Sequence, residues 1–348
     1  MTSSFRVGYT KDFLNAKGEV GWGDIALDLF DGVPNLDFTY LPVDEKVITP
    51  ENAADFDALG VLAPRITAEL VDNSPRLALV ARFGVGYDTV DIDACTRNDI
   101  AVTITPDGVR RAMAATGMAL MLGVAHRIVE MDQMTRAGKW ASKLDYMGYQ
   151  ITGKTLGTIG LGNIARDFLG LAAPWEMRKI AFDPYVTAEQ AAAIGVELVD
   201  LDTLFRESDF LVVLCKLTDE TFHLVNAERL ALMKHSAFLI NIARGPIVDE
   251  TALYEALSTG KIRGAGLDVF EQEPVDPNNP ILKLDNVIVA PHALGWTDES
   301  ARGIGTGVAS SILAVRQGRV PDNIVNREVV DSPRFQEKLA NLRACWGS

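Results

Sequence analysis

Residues 154–165 read Lys154-Thr155-Leu156-Gly157-Thr158-Ile159-Gly160-Leu161-Gly162-Asn163-Ile164-Ala165, an apolar run that enters Gly-x-Gly-x-x-Ala and continues as a helical pattern. Gly160 permits a tight strand-to-helix turn, and Gly162 lets a pyrophosphate approach the backbone where Asn163 and Ile164 open the helix. Ala165 stands where a third glycine is usual, and only a small side chain is needed there for helix–strand packing. With 29 glycines in the chain such a match is cheap by itself, so its context decides. Lys179-Ile180-Ala181-Phe182-Asp183 reads as the next strand, ending in an acid about 20 residues on, where a carboxylate accepts from ribose hydroxyls and repels an added phosphate. The stretch predicts NAD binding; the competing reading makes Asp183 a turn residue ahead of Pro184.

Working outward, strands alternate with helices along the whole chain, the pattern of an α/β fold with parallel sheets. Ahead of the glycine turn, strands are expected at Arg6–Tyr9, Phe38–Leu41, Ala58–Leu62, Leu77–Val80 and Ala101–Ile104. Helices are expected at Thr67–Asn73 and, capped by Asp91, at Ile92–Asn98. One long helix is expected from Ala112 to Ala137, ended by Gly138. The second set has strands at Thr155–Ile159, Lys179–Phe182, Phe210–Leu214, Phe238–Ile242, Ala265–Val269 and Val287–Ala290, the six of a doubly wound dinucleotide fold. A final helix over Asp298–Gln317 leads into a polar tail.

The bulk numbers narrow the function. The 348 residues suffice for two domains, and 48% hydrophobic with 23% charged residues is a globular composition. A net charge of −14 argues against nucleic acid, whose phosphates require a basic face. It also leaves any anionic substrate to be held by specific arginines and backbone N–H groups. The segment Met113–Val129 is broken by Gly117, Gly123, His126 and Arg127, so no membrane span is expected, and residues 1–13 lack the apolar core of a signal peptide. Cys95, Cys215 and Cys345 have no metal-type spacing and suit a reducing cytoplasm; Cys215 ends an apolar run and reads as core. No metal site is expected.

Three polar residues follow later strands: Arg244 in Asn241-Ile-Ala-Arg-Gly-Pro, Glu273 in Leu267-Asp-Val-Phe-Glu-Gln-Glu-Pro274, and His292 in Ala290-Pro-His-Ala. Ligands of open α/β sheets bind beyond the carboxyl ends of the strands, so all three point to one crevice. A guanidinium fork grips a carboxylate, a histidine moves a hydroxyl proton, and a carboxylate beside it fixes its tautomer and favours its charged form. Taken singly, each is as well explained as a surface Arg, a solvated Glu or a capping His.

Five segments together resemble the D-isomer-specific 2-hydroxyacid dehydrogenases: Arg82-Phe-Gly-Val-Gly-Tyr-Asp88, Gly153–Asn163, Asn226–Lys234 with Asn241–Gly245, Leu267–Pro274 and Pro291-His292. The resemblance, over about Asp57–Thr297, implies an NAD-dependent hydride transfer at C2 of a small 2-hydroxy or 2-keto acid. It implies that Arg244 binds the substrate carboxylate and 2-oxygen, His292 is the acid–base and Glu273 its partner, with Glu271 the other candidate in that segment. Asp268 and the Ala243 backbone are expected to orient the nicotinamide, Val85 and Gly86 N–H groups to complete the carboxylate site, and the segment around Cys215 to keep backbone contact with cofactor. The implied fold is α/β, two Rossmann-like doubly wound domains. An NAD-binding domain at 112–296 is inserted into a smaller flavodoxin-like substrate-binding domain made of 1–111 and 297–348, with closure around the junctions. The long helix through Trp140 resembles the family's dimer-forming region, so a cytoplasmic homodimer is expected.

Departures from the family pattern leave the acid itself open. Met113-Ala-Ala-Thr116 replaces the usual Val-Ala-Glu-His, so Arg110 and Arg111 are candidates for a second polar part of the substrate, against the plainer reading of solvent-facing helix-start residues. Leu214 and Lys216 stand where relatives carry His and Pro. No basic cluster near Leu62–Arg65 suits phosphoglycerate. A formate or phosphite dehydrogenase on the same scaffold is disfavoured by Glu273 where formate enzymes carry Gln, and an NAD-sensing corepressor-type scaffold is the rival from another class. His126, His223 and His235 receive no chemical role.

Overall fold

The computed structural model describes residues 4–41 and 46–347. The chain divides into two compact units, one formed by Met1–Val109 with Trp296–Ser348 and the other by Arg110–Gly295.

The first unit is built on five parallel strands: β1 (Phe5–Tyr9), β2 (Leu36–Tyr40), β3 (Ala58–Val61), β4 (Leu79–Arg82) and β5 (Ala101–Thr103). Their order is β2-β1-β3-β4-β5, so the winding reverses at β1. β3 is buried along its whole length, whereas edge strand β2 alternates intermediate and exposed residues. That contrast is what covering both faces of a parallel sheet requires. Helix Asp298–Arg316 lays Val308, Ile312 and Val315 on one face. Leu70, Val71, Ala94 and Cys95 from the helices Ala68–Asp72 and Ile92–Arg97 cover the other. Asp91 caps the second of these by accepting the Ala94 N–H at 2.9 Å, as its sequence position predicts.

The second unit carries seven parallel strands: β6 (Thr155–Ile159), β7 (Arg178–Phe182), β8 (Glu197–Leu198), β9 (Phe210–Val213), β10 (Phe238–Asn241), β11 (Gly264–Leu267) and β12 (Val287–Val289). The order is β12-β11-β10-β9-β6-β7-β8, with the reversal at β6, whose end is the glycine turn. The strands lie within a residue or two of the sequence reading. The short edge strand β8 is an addition to the expected six, pairing Glu197 and Leu198 with Ile180 and Ala181. Two residues carry too little periodicity to be read as a strand.

Two expectations need correction. The single helix over Ala112–Ala137 is two helices, Pro106–His126 and Ile128–Arg136, bent by 59°. Arg127 adopts left-handed φ 55 and interrupts the i→i−4 ladder. Tyr149 N–H takes the Ala125 carbonyl at 2.7 Å, and Arg127 is steadied by Glu130 at 3.1 Å and the Tyr146 ring at 4.8 Å. The expected polar tail instead contains the helix Pro333–Trp346, which buries Phe335 and Leu339 in the core of the first unit. Among the described residues no single helix is long and apolar enough to cross a membrane.

Candidate active site

β6 lies between β9 and β7, so its end opens onto the point where the second sheet changes winding direction, the usual ligand crevice of such sheets. Gly160 has φ 95, and a Cβ there would sit 3.0–3.1 Å from backbone atoms of Cys215 and Leu214. Glycine is therefore required by both conformation and space. Gly162 caps the helix Asn163–Leu171 with no side-chain bond, which leaves the first helical N–H groups open to an anion. Asp183 holds this turn from the next strand: one carboxylate oxygen accepts Leu161 N–H at 2.8 Å and the other Tyr185 N–H at 2.9 Å. Both sequence readings of Asp183 are thus present at once, a turn residue and an acid beside the glycine loop. Cys215 is partly buried, and burial pushes its thiol up to about 12, so what it presents there is backbone and a neutral side chain. A bare helix start, an imposed glycine and an acid across the turn fit an adenine dinucleotide.

The turn after β10 is shaped by Asn241, a buried residue the sequence reading passed over. Its side-chain amide donates to the Arg244 carbonyl at 2.9 Å and its oxygen accepts the Ala243 N–H at 3.1 Å. Arg244 is partly buried and one guanidinium N–H donates to the Ala243 carbonyl at 2.8 Å. Gly245 rests directly on the next loop: a Cβ would lie 1.8 Å from the Phe270 carbonyl carbon. Any side chain there would push the Arg244 turn off the Phe270–Glu273 loop.

That loop presents Glu273. One carboxylate oxygen accepts Phe270 N–H at 3.0 Å, and the other lies 2.8 Å from His292 Nδ1. Burial pushes the Glu273 carboxyl up, but the bond and charge of His292, the Phe270 N–H and the Arg244 guanidinium outweigh it and hold it below the usual carboxylate range. Glu273 is therefore a carboxylate at neutral pH. It fixes the His292 ring through Nδ1, while the other ring nitrogen makes no hydrogen bond among the described residues. His292 has left-handed φ 54, an unfavourable backbone for a side chain with a Cβ. Asp268 holds it there: the Ala293 and Leu294 N–H groups donate to one Asp268 oxygen at 3.0 and 3.2 Å. Burial raises the Asp268 carboxyl, and these two N–H bonds offset only part of that. Arg244, Glu273 and His292 thus gather at neighbouring strand ends, with Asn241 and Asp268 buried beneath them.

In the first unit, the turn after β4 holds Val85 and Gly86, half-buried, and neither N–H donates to a described residue. Two consecutive open amides form a small anion cradle. Thr105 secures it, its hydroxyl oxygen accepting Gly84 N–H at 3.0 Å. Arg110 pairs with Asp167 at 2.8 Å, whereas Arg111 is exposed. Glu271 does not face His292; it lies 3.2 Å from His223. Among the described residues no group of His, Cys, Asp or Glu is placed to hold a metal.

Comparison with known proteins agrees with this geometry. Residues 118–293 match the model of the D-isomer specific 2-hydroxyacid dehydrogenase NAD-binding domain. A glyoxylate reductase of Korarchaeum cryptofilum is 41% identical over 301 residues, covering 85% of this chain and 90% of the relative. A Thermus thermophilus structure superposes with TM-score 0.81 at 31% identity, covering 92% of this chain and 99% of the other. The Aquifex aeolicus D-lactate dehydrogenase, solved with NAD and lactic acid, superposes with TM-score 0.80 at 27% identity, covering 92% and 99%.

Proposed function

This chain belongs to the D-isomer-specific 2-hydroxyacid dehydrogenase family, and from that premise we propose that Arg244, Glu273 and His292 are its catalytic set. The protein is an NAD-dependent oxidoreductase of small 2-hydroxy and 2-keto acids. The bound dinucleotide supplies or accepts the hydride at C2 of the acid. Gly160, Gly162, Asn163 and Ile164 would hold its pyrophosphate, with the Cys215 backbone beside that turn, Asp183 would hold its adenosine ribose, and Ala243 and Asp268 the part nearer the reacting carbon.

Arg244 grips the substrate carboxylate and 2-oxygen, and in the first unit the open N–H groups of Val85 and Gly86 are suited to bind a carboxylate. In reduction His292 gives its proton to the forming alkoxide, and Glu273 keeps the ring charged and aimed until it does. Oxidation runs the same path backward, with His292 as the base. The observation that carries this reading is the 2.8 Å bond from His292 to a carboxylate that stays ionised, beside the Arg244 turn.

The test is NADH oxidation, followed by absorbance, with glyoxylate, hydroxypyruvate, pyruvate and sugar-derived 2-keto acids, each beside Arg244→Ala. Turnover that falls about 1,000-fold or more in the variant supports the reading, because a charged, substrate-orienting contact is lost. Equal rates in both, or no turnover with NADH still bound, overturns it.

We also propose a homodimer, a reading that the second unit's surface supports. Ile128, Val129, Trp140, Leu144 and Met147 are exposed in one stretch of chain, Leu144 at 85% and Met147 at 81%. Apolar side chains concentrated in this way mark a subunit interface. Light scattering at working concentration tests it, and a monomer's mass excludes it. The cytoplasm is the proposed compartment, with all three cysteines unpaired.

A further inference from the structure

His223 belongs to none of the groups assigned so far. It sits at left-handed φ 48, where Gly or Asn is the easier choice. Its N–H donates to the Pro246 carbonyl at 2.9 Å, and Val225 pairs with Val248 just beyond. The segment therefore runs along the Arg244–Gly245–Pro246 turn. Its ring points to the other loop: Nε2 lies 3.2 Å from Glu271 Oε1, closed off from solvent, with the Phe222 ring stacked on it at 4.1 Å. The approach is off the axis of a linear hydrogen bond, so the 3.2 Å separation is a short polar contact between ring and carboxylate.

Glu271 is itself clasped to Glu250. Each residue's N–H donates to the other's carboxylate, and Glu250 also accepts Asn279 Nδ2 at 2.7 Å. Two carboxylates are thus drawn together at the start of helix Glu250–Ser258, and the His223 ring nitrogen is the polar side-chain atom that meets the Glu271 one. The Arg244 turn and the Phe270–Glu273 loop meet here backbone to backbone, at a contact too close for any side chain to fill. Their register depends on ties at the margin of that contact.

We infer that His223 is a positioning residue, which ties the loop of Arg244 to the loop of Glu273 through Pro246 on one side and Glu271 on the other. Through Glu271 it sets Phe270, whose N–H holds Glu273 against His292. The inference rests on the reading of Arg244, Glu273 and His292 as the catalytic set.

Two substitutions separate this role from mere tolerance of left-handed backbone. Asn suits φ 48 better than Gln, but only the Gln amide reaches to where Nε2 stands. His223→Gln should keep kcat within about threefold, and His223→Asn and Glu271→Gln should each lower it about tenfold, the scale of one lost loop tie. KM for the keto acid and NADH affinity should stay nearly fixed. The double variant His223→Asn/Glu271→Gln should be no slower than either single one. Asn at least as active as Gln, additive losses, or a loss that falls on KM rather than kcat overturns the inference while leaving the catalytic set intact. If His223→Asn fails to fold by thermal melting, Glu271→Gln alone decides by the same split of kcat from KM. A wild-type chain inert toward every keto acid overturns the underlying reading instead.

Discussion

The two units share a plan and equip it differently. Each is a parallel sheet that reverses its winding at its first strand, β1 in one and β6 in the other. Beyond β4 the first unit offers backbone: the open N–H groups of Val85 and Gly86, with Thr105 behind them. Beyond β7, β10, β11 and β12 the second offers side chains, Asp183, Arg244, Glu273 and His292, each held by a polar side chain or a backbone N–H. Backbone donors bind an anion without a proton to move, so what the first unit presents is suited to holding, while the second presents binding groups and proton-moving groups together. Substitutions at the proton-moving groups of the second unit should lower kcat, those at its glycine turn should weaken NADH, and those that loosen the first unit's amides should raise KM for the acid.

The sharpest break of that division would come at His292. His292→Gln removes the proton donor and keeps much of the side chain's volume, so kcat should fall by about 100- to 10,000-fold with little change in NADH affinity. Steady-state kinetics with any accepted keto acid measures it. A rise in KM with kcat preserved would place the chemistry elsewhere. Gly160→Ala comes next. It forces a Cβ onto φ 95 and within 3.0–3.1 Å of the Cys215 and Leu214 backbone, so NADH should bind about tenfold or more weakly. Fluorescence titration of NADH reads this, and unchanged binding would deny the turn its role. Smaller again is Asp183→Ser, which removes the charge facing an added phosphate. The ratio of kcat/KM for NADH to that for NADPH should fall about tenfold, and thermal stability should fall separately, since two backbone N–H groups lose their acceptor.

What the sequence disclosed followed physical period and punctuation. Strands buried on both faces are short apolar runs, and β6, β9 and β10 were legible as such. The glycine turn was legible because its residues are imposed by contact. The bend at Arg127 was not, since no glycine or proline marks it and its left-handed backbone is stabilised by Glu130 and Tyr146 from later in the chain. Helix Pro333–Trp346 was legible and was missed: Ser332 before Pro333 is a start signal, and Phe335, Leu339, Leu342 and Trp346 keep helical spacing. At the site, strand ends pointed to Arg244, Glu273 and His292 one by one. Nothing local pointed to Asn241 or Asp268 as the residues that aim them, or to Glu271 as the partner of His223, because those relations join separate loops.

The smallest effect tests the holding half of the comparison. Thr105 is buried, and its hydroxyl both accepts Gly84 N–H at 3.0 Å and donates back to the Gly84 carbonyl at 3.2 Å. Thr105→Val keeps the shape, including the methyl that packs toward Gly307, and removes only the hydroxyl. The Gly84 carbonyl retains the Thr105 N–H at 2.9 Å, but its N–H loses its acceptor, at a cost of about 1–3 kcal/mol. Thermal melting should therefore fall by a few degrees, on the order of 2–4 °C per kcal/mol. The turn should still form but wander, so KM for the keto acid should rise about threefold with kcat nearly unchanged. A kcat loss approaching that of His292→Gln would mean the first unit does more than hold. An unchanged KM would mean the Val85 and Gly86 amides do not meet the carboxylate at all.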